Sequence, residues 1–387
     1  MKKSTRVNHP PPVELAADNH AVVPPIYQSV KFEFDTLEET ERYLRGERPG
    51  FFYSRTSNPT TRQLELLLAE LQGREECLVT ASGAGAIAQT LLALIKQGDH
   101  VLCFVETYNP TRYLIRRLLG RFGVTHTLLS IEDTAGIERA LEAHPTRLVW
   151  FESPTNPVTK IADIAAITRL ARAAGALVAM DNTFAGLHQH GEYDVDLFVH
   201  SLTKYASGAG DVLGGAVIGR SELIRSLRTD FGVLGGTLDP HAAYLISRGL
   251  KTYFVRYRAQ SASAQRIAEL LAAHPAVARV HYPGLSSHPR HALACTQMKD
   301  FGCIVSLDLK GGREASGRFA DALQLFAMAA SLASSESLVV TAQMMGGRDL
   351  TADQQAVSGI TDGTVRLSIG LEDIDDLMED VTQALNA

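Results

Sequence analysis

The chain has 387 residues, 45% hydrophobic and 21% charged, with a formal net charge of −6. That length exceeds what one hydrophobic core usually holds, so two domains are expected. The charge balance argues against nucleic acid as a partner, and no apolar run reaches the roughly 18 residues of a membrane span. The opening MKKSTRVNHPPPVEL lacks the apolar stretch of a secretory signal. Cys77, Cys103, Cys295 and Cys303 form no CxxC pair and read as reduced core residues of a cytoplasmic protein.

Residues 1–60 are Pro-rich and irregular (HPPP, VVPPIY, ERPGFF, SNPT), interrupted by one helical stretch, TLEETERYLRG. So long and loose an arm is expected to lean on a neighbouring subunit. Over 61–249, apolar strand candidates recur: ECLVTA (76–81), HVLCFV (100–105), THTLLS (125–130), RLVWFE (147–152), ALVAMD (176–181), DLFVHS (196–201) and GGAVIG (214–219). Helical patterns such as GAIAQTLLALIKQG and AAITRLARAAG lie between most of them. This predicts an α/β domain with a mainly parallel seven-stranded sheet covered on both faces. Ligands of such sheets bind beyond the carboxyl ends of the strands. One long helical region (HAAYLISRGLKTYFVRYRAQSASAQRIAELLAAHP) runs from His241 into residues 250–387. VARVHYPGL, FGCIVSLDLKG, GTVRLSIG and the helix DIDDLMEDVTQAL follow, a smaller α+β domain.

Several strand candidates end in polar chemistry. ECLVTA runs into SGAGAIAQTL, a Gly-rich turn opening a helix, where free N–H groups and the helix dipole favour an anion. A tight strand–helix turn would look the same. HVLCFV leads to ETYNPT and Tyr108, an aromatic that could stack on a flat ligand or simply pack. RLVWFE leads to SPTNP, with Glu152 and Asn156, residues that turn formation alone would explain. ALVAMD ends at Asp181, by itself an ordinary cap or turn former. DLFVHS is followed by Thr203 and Lys204. In the loops HQH (188–190) and HPRH (288–291), histidines lack nearby acidic or Cys partners, so no metal is expected there.

The ligand that fits all the strand ends is anionic, flat, carries a basic ring nitrogen and bears an aldehyde. Pyridoxal 5′-phosphate meets these demands, and a lysine imine with an acidic partner for the pyridine nitrogen is its protein signature. A free lysine has a pKa of about 10.4, so a neutral amine needs help from its surroundings.

SLTKYASGAGD resembles the S-x-T-K-Y-x-x-G segment of the Cys/Met-metabolism pyridoxal-phosphate enzymes, the cystathionine γ-synthase-like group of fold type I. The resemblance extends through VVPPIYQSVKFEF, FYSRTSNPTTRQLE, ASGAGAIAQTLLAL, FESPTNP, MDNTFA, HYPGLSSHP, SLASSESLV and VRLSIGLEDIDDLMEDV. It implies that Lys204 holds the cofactor, Asp181 pairs with its ring nitrogen and Asn156 lies near its ring hydroxyl. Tyr108 would stack on the ring and act in proton transfer. Gly83, Ala84, Ser201 and Thr203 would hold the phosphate. Tyr53 and Arg55 would reach the phosphate of a neighbouring subunit, in a homotetramer built as a dimer of dimers. Arg366 would clamp the carboxylate of a sulfur amino-acid substrate, with Ser331 and Leu332 lining that site.

Three departures from the family pattern bear on the reaction. Ala330 stands where cystathionine γ-synthases and γ-lyases usually carry glutamate. Asn109-Pro110 follows Tyr108, where methionine γ-lyases usually carry Gly-Cys. Ala209 replaces a common histidine in the lysine loop. The first two direct the expectation to β-elimination of L-cystathionine or a related thioether amino acid. The alternative is a γ-acting enzyme: a γ-lyase, a methionine γ-lyase, or γ-replacement on an O-acylhomoserine. Intact Lys204, Asp181, Tyr108 and Arg366 argue against a non-catalytic fold homologue; an aminotransferase is the more remote alternative.

Overall fold

A computed structural model describes residues 20–345 and 349–387; residues 1–19 of the expected arm lie outside them. Seven strands form the first sheet: β1 (Glu76–Thr80), β2 (His100–Phe104), β3 (Thr125–Leu129), β4 (Thr146–Glu152), β5 (Leu177–Asp181), β6 (Leu197–Ser201) and β7 (Gly215–Gly219). All seven fall on the expected segments. Their order is β1-β7-β6-β5-β4-β2-β3. β7 runs antiparallel to β1 and β6, and the other pairings are parallel.

The apolar runs are continuous because both faces of this sheet are covered. Side chains alternate in direction along a strand. On β4, Val149 and Phe151 enter one apolar cluster while Leu148 and Trp150 enter another; β2 divides likewise, with Leu102 and Phe104 against Val101 and Cys103. Trp150 and Phe151, adjacent in sequence, are both fully buried on opposite sides.

The second sheet contains β8 (Val277–His281), β9 (Ile304–Leu309), β10 (Ala327–Met328), β11 (Leu338–Thr341) and β12 (Thr364–Ser368), in the order β10-β11-β12-β9-β8. β10 and β11 were not expected from sequence. The first of the two clusters also takes in Val305, Leu307, Val365 and Leu367 of this sheet, so one core is continuous across both. The long helical region is two helices, Pro240–Leu250 and Tyr253–Ala273. Asp239 caps the first, accepting from the His241 and Ala242 amides. The pattern hid the break because both helices present apolar residues at helical spacing. Cys77, Cys103 and Cys303 are buried, but Cys295 is exposed, which corrects its expected core placement. The arm's short helix is Leu37–Leu44, capped by Thr36.

Two glycines bring β1, β6 and the following helix together. A Cβ on Gly83 would stand 2.7 Å from Ser201 Cβ, and one on Gly215 would stand 2.2 Å from the Ser82 carbonyl oxygen. Gly215 faces backbone, which yields less readily than a side-chain tip. Gly215→Ala should therefore cost about 1–3 kcal/mol. A lowered denaturation midpoint at unchanged slope would report it; an unchanged midpoint would mean that the turn relaxes freely.

Candidate active site

Adjacent parallel strands set the site's framework. Glu152 and Asp181, the last residues of β4 and β5, are paired in register, and Asp181 is paired in turn with Val199 of β6. Lys204 follows β6 by three residues. These strand ends open on a cavity of about 530 Å³.

At one end lies the turn after β1. Ser82 caps the helix Gly83–Leu94, its Oγ accepting from the Gly85 amide at 3.0 Å. Gly83 and Ala84 occupy the first turn, where amides lack a carbonyl partner within the helix, and both line the cavity. Ser201 and Thr203 line it too. The Thr203 hydroxyl accepts from the Gly214 amide at 3.1 Å, which fixes its side chain at the cavity edge.

Asp181, half-buried, lines the cavity. The Thr183 amide donates to its Oδ1 at 3.0 Å, and no cation pairs with it among the described residues. Burial pushes its carboxyl up, opposed by the bonds from Thr183. Tyr108 lines the cavity and is 40% exposed. Burial raises its phenol, and the nearby Asp181 carboxyl adds to this.

Lys204 Nζ donates to Ser331 Oγ at 2.8 Å. Burial, and secondarily the Arg366 guanidinium, push the amine down to about 8. Arg366 comes from β12 of the second sheet. Its Nη1 donates to Asn156 Oδ1 at 2.9 Å and its Nη2 to the Ser331 carbonyl at 2.8 Å. Its Nε is buried without a partner. Leu332 and Ala330 complete this wall.

The structure thus gathers eleven of the expected site residues. Tyr53 and Arg55 are not among them: neither lines the cavity of their own chain. Arg55 instead donates to the Gly232 carbonyl at 2.8 Å and stands over the Tyr53 ring. Of the HQH histidines, His190 is buried and bonded to Asn182 Oδ1, and His188 is half-buried and bonded to the Tyr253 hydroxyl. Ala209 is exposed at the lysine-loop tip, between Gly208 and Gly210, both at positive φ.

Sequence reasoning named Glu152 but gave it no place in the site. It is buried beside Asp181 with Oε1 unpartnered, and burial and Asp181 favour its neutral form. Thr183 was missed, although two residues after an Asp at a strand end is the position of an Asx turn. Met344 and Met345 also line the cavity, with no local signal to reveal them.

This donor set fits pyridoxal 5′-phosphate. The cradle at Gly83 has no room for a side chain, the first-turn amides are open to an anion, half-buried Asp181 has no paired cation among the described residues, and the half-buried Lys204 amine faces the same space.

The family described as Cys/Met metabolism PLP-dependent enzyme matches residues 11–386. The chain is 44% identical over 371 residues to an L-methionine gamma-lyase of Pseudomonas putida, covering 95% of this chain and 93% of that protein. It is 38% identical over 364 residues to an O-succinylhomoserine sulfhydrylase of Pseudomonas aeruginosa, covering 94% and 90%. The structure of a cystathionine gamma synthase from Xanthomonas oryzae pv. oryzae, in complex with aminoacrylate and cysteine, aligns with a TM-score of 0.89. The identity is 37%, covering 95% of this chain and 93% of that one. The fold and site are those of a fold type I pyridoxal-phosphate enzyme. The chain belongs to the Cys/Met-metabolism family of these enzymes and is a pyridoxal-phosphate-dependent lyase or γ-replacement transferase. The relatives include γ-lyases, γ-synthases and a homoserine-ester sulfhydrylase, so the γ-acting alternative fits better than the expected β-elimination.

In the cofactor-free protein the Lys204 amine sheds its proton near pH 8. Capture of added pyridoxal phosphate, followed by stopped-flow absorbance, should therefore quicken as pH rises through about 8 and then level. A rate that is flat across this range would show that the amine is already neutral. Lys204→Ala should abolish covalent capture.

Proposed function

We propose that this enzyme catalyses γ-elimination from an L-amino acid with an apolar thioether at Cγ, L-methionine being the type substrate. The products are a thiol, 2-oxobutyrate and ammonia. The observation that carries the reading is the cavity wall around Ser331. Ala330 and Leu332 flank Ser331 in sequence, and Met344, Met345 and Leu350 line the same cavity, all of them apolar. Glutamate, which would meet a distal ammonium, is absent at position 330. The similarity to methionine γ-lyases over nearly the whole chain supports the same reading.

The residues divide the work by position. Bound pyridoxal phosphate supplies an electron sink for negative charge developing at the substrate Cα. Arg366 holds the substrate carboxylate, and its unpartnered Nε is the donor left over for it. Asn156 and Ser331 keep the guanidinium oriented. Asp181 would hold a proton at the ring nitrogen; it lines the cavity without a paired cation among the described residues, which makes that pairing favourable. Lys204, whose charged form burial disfavours so that its pKa falls to about 8, takes the Cα proton and returns protons at later carbons. Tyr108 lines the same cavity, where it would stack on the bound ring and pass a proton to the leaving sulfur. Gly83, Ala84, Ser201 and Thr203 seat the phosphate.

The arm extends this proposal to a second copy of the chain. Val22, Val30 and Leu37 are exposed apolar residues on it, and Tyr53 and Arg55 lie apart from their own cavity. They serve a neighbouring subunit's phosphate, in a dimer that pairs further into a tetramer.

Holoenzyme given L-methionine should release 2-oxobutyrate, identified by chromatography of its hydrazone. Pyruvate from L-cystathionine, with methionine untouched, would restore the β reading. Arg366→Lys replaces a fork with a point charge. It should raise KM for methionine about tenfold or more, the worth of roughly one charged hydrogen bond, with a smaller effect on kcat.

A further inference from the structure

One charged wall of the cavity is left idle by this chemistry. Arg112 lies on the short helix Asn109–Tyr113, immediately after Tyr108. It lines the cavity yet is only 4% exposed. Its Nη1 donates to the carbonyls of Val105, at 2.8 Å, and Thr107. Its Nε and Nη2 form a fork on Asp349, donating to Oδ2 at 3.1 Å and Oδ1 at 2.9 Å. Arg116, one turn further on, donates from Nη1 to Asp349 Oδ2 at 3.0 Å and to the Asp349 carbonyl at 2.9 Å. Burial alone would raise the Asp349 carboxyl. The two guanidiniums more than offset it and hold the group below its usual range.

We infer that Asp349 stands in for a substrate carboxylate: Arg112 and Arg116 form an anion site on the cavity wall, and the chain's own side chain occupies it. This rests on the cavity being the substrate site, as proposed above, and narrows the substrate class. Substituents ending in a carboxylate are turned away, because the fork is taken and the occupant repels a second negative charge. Leu350, next to Asp349, lines the cavity, so the occupied site borders the space a long substituent would enter. The nearby Lys160 offers no substitute, being paired with Glu106 at 2.8 Å and Glu132 at 3.4 Å. Arg112 is a fork of planar geometry in a buried setting, which suits a carboxylate better than a point charge would.

O-acetyl-L-homoserine and O-succinyl-L-homoserine test this, because only the second ends in a carboxylate. Holoenzyme kcat/KM is measured for both esters in the wild type, Asp349→Ala and Asp349→Asn. The succinyl-to-acetyl ratio should rise at least about tenfold in Asp349→Ala, the effect of roughly one charge-assisted hydrogen bond. It should rise in the same direction in Asp349→Asn, which keeps the shape, and fall back when Arg116→Gln is added. Both esters changing alike would make Asp349 a structural tie and overturn the inference. Calorimetry with glutarate reads the site without turnover: binding should appear in Asp349→Ala and be absent in the wild type. Glutarate binding with no action on methionine or either ester would sink the proposed reaction and leave the anion site standing. Methionine turnover without glutarate binding to Asp349→Ala would do the reverse.

Discussion

Desolvation of charge at the strand ends is the constraint on which the rest of the site depends. Lys204, Asp181 and Arg366 are all withdrawn from water, and none of the three has an ion-pair partner among the described residues. Burial pushes Lys204 to about 8 and Arg366 down to about 10, and it raises Asp181. An ion pair of Asp181 with either cation would quench this at once, yet the hydrogen bonds go elsewhere: Lys204 to Ser331, Asp181 from Thr183, Arg366 to Asn156 and a carbonyl. Buried charge without a partner is costly. It persists here in a form that an anionic cofactor and a zwitterionic substrate would complete.

The scaffold imposes that separation through register and close approach. Parallel pairing puts Glu152 and Asp181 side by side at one edge of the sheet. Gly83 lets the helix that follows β1 press against Ser201, which places its open N-terminus beside the end of β6. Arg366 reaches the same space from another sheet, held by β9 and β11 on either side. The continuous core through both sheets keeps the two halves of the site in one arrangement.

The first sheet was legible because its strands are buried on two faces and bounded by turn chemistry. All seven apolar segments became strands, within a residue or so of their expected ends. The second sheet was read less well: β10 has two residues and is exposed, and β11 has four, too few for a period to register. The break at Lys251–Thr252 escaped because helical spacing continues on both sides. Cys295 was placed in the core from a local apolar run, but the helix turns it outward. The β-elimination expectation drew chiefly on residues 109, 110 and 330, whereas the similarity of nearly the whole chain to γ-acting enzymes weighs the other way.

The sequence by itself determined the cofactor and the sheet that carries it. Those depend on residue types at successive strand ends, and strand ends of one parallel sheet share an edge whatever the loops do. Only the tertiary structure decided which groups pair and which remain free. Nothing local to Arg112 or Asp349, 237 positions apart, marks them as partners, and nothing local to Glu152 shows that burial and Asp181 disfavour its charge. Ion pairing and protonation depend on distance and dielectric, and both are set by packing between segments remote in the chain. The chemistry at Cα was therefore written in local motifs, while the space and charge that meet the rest of the substrate arose from long-range contacts.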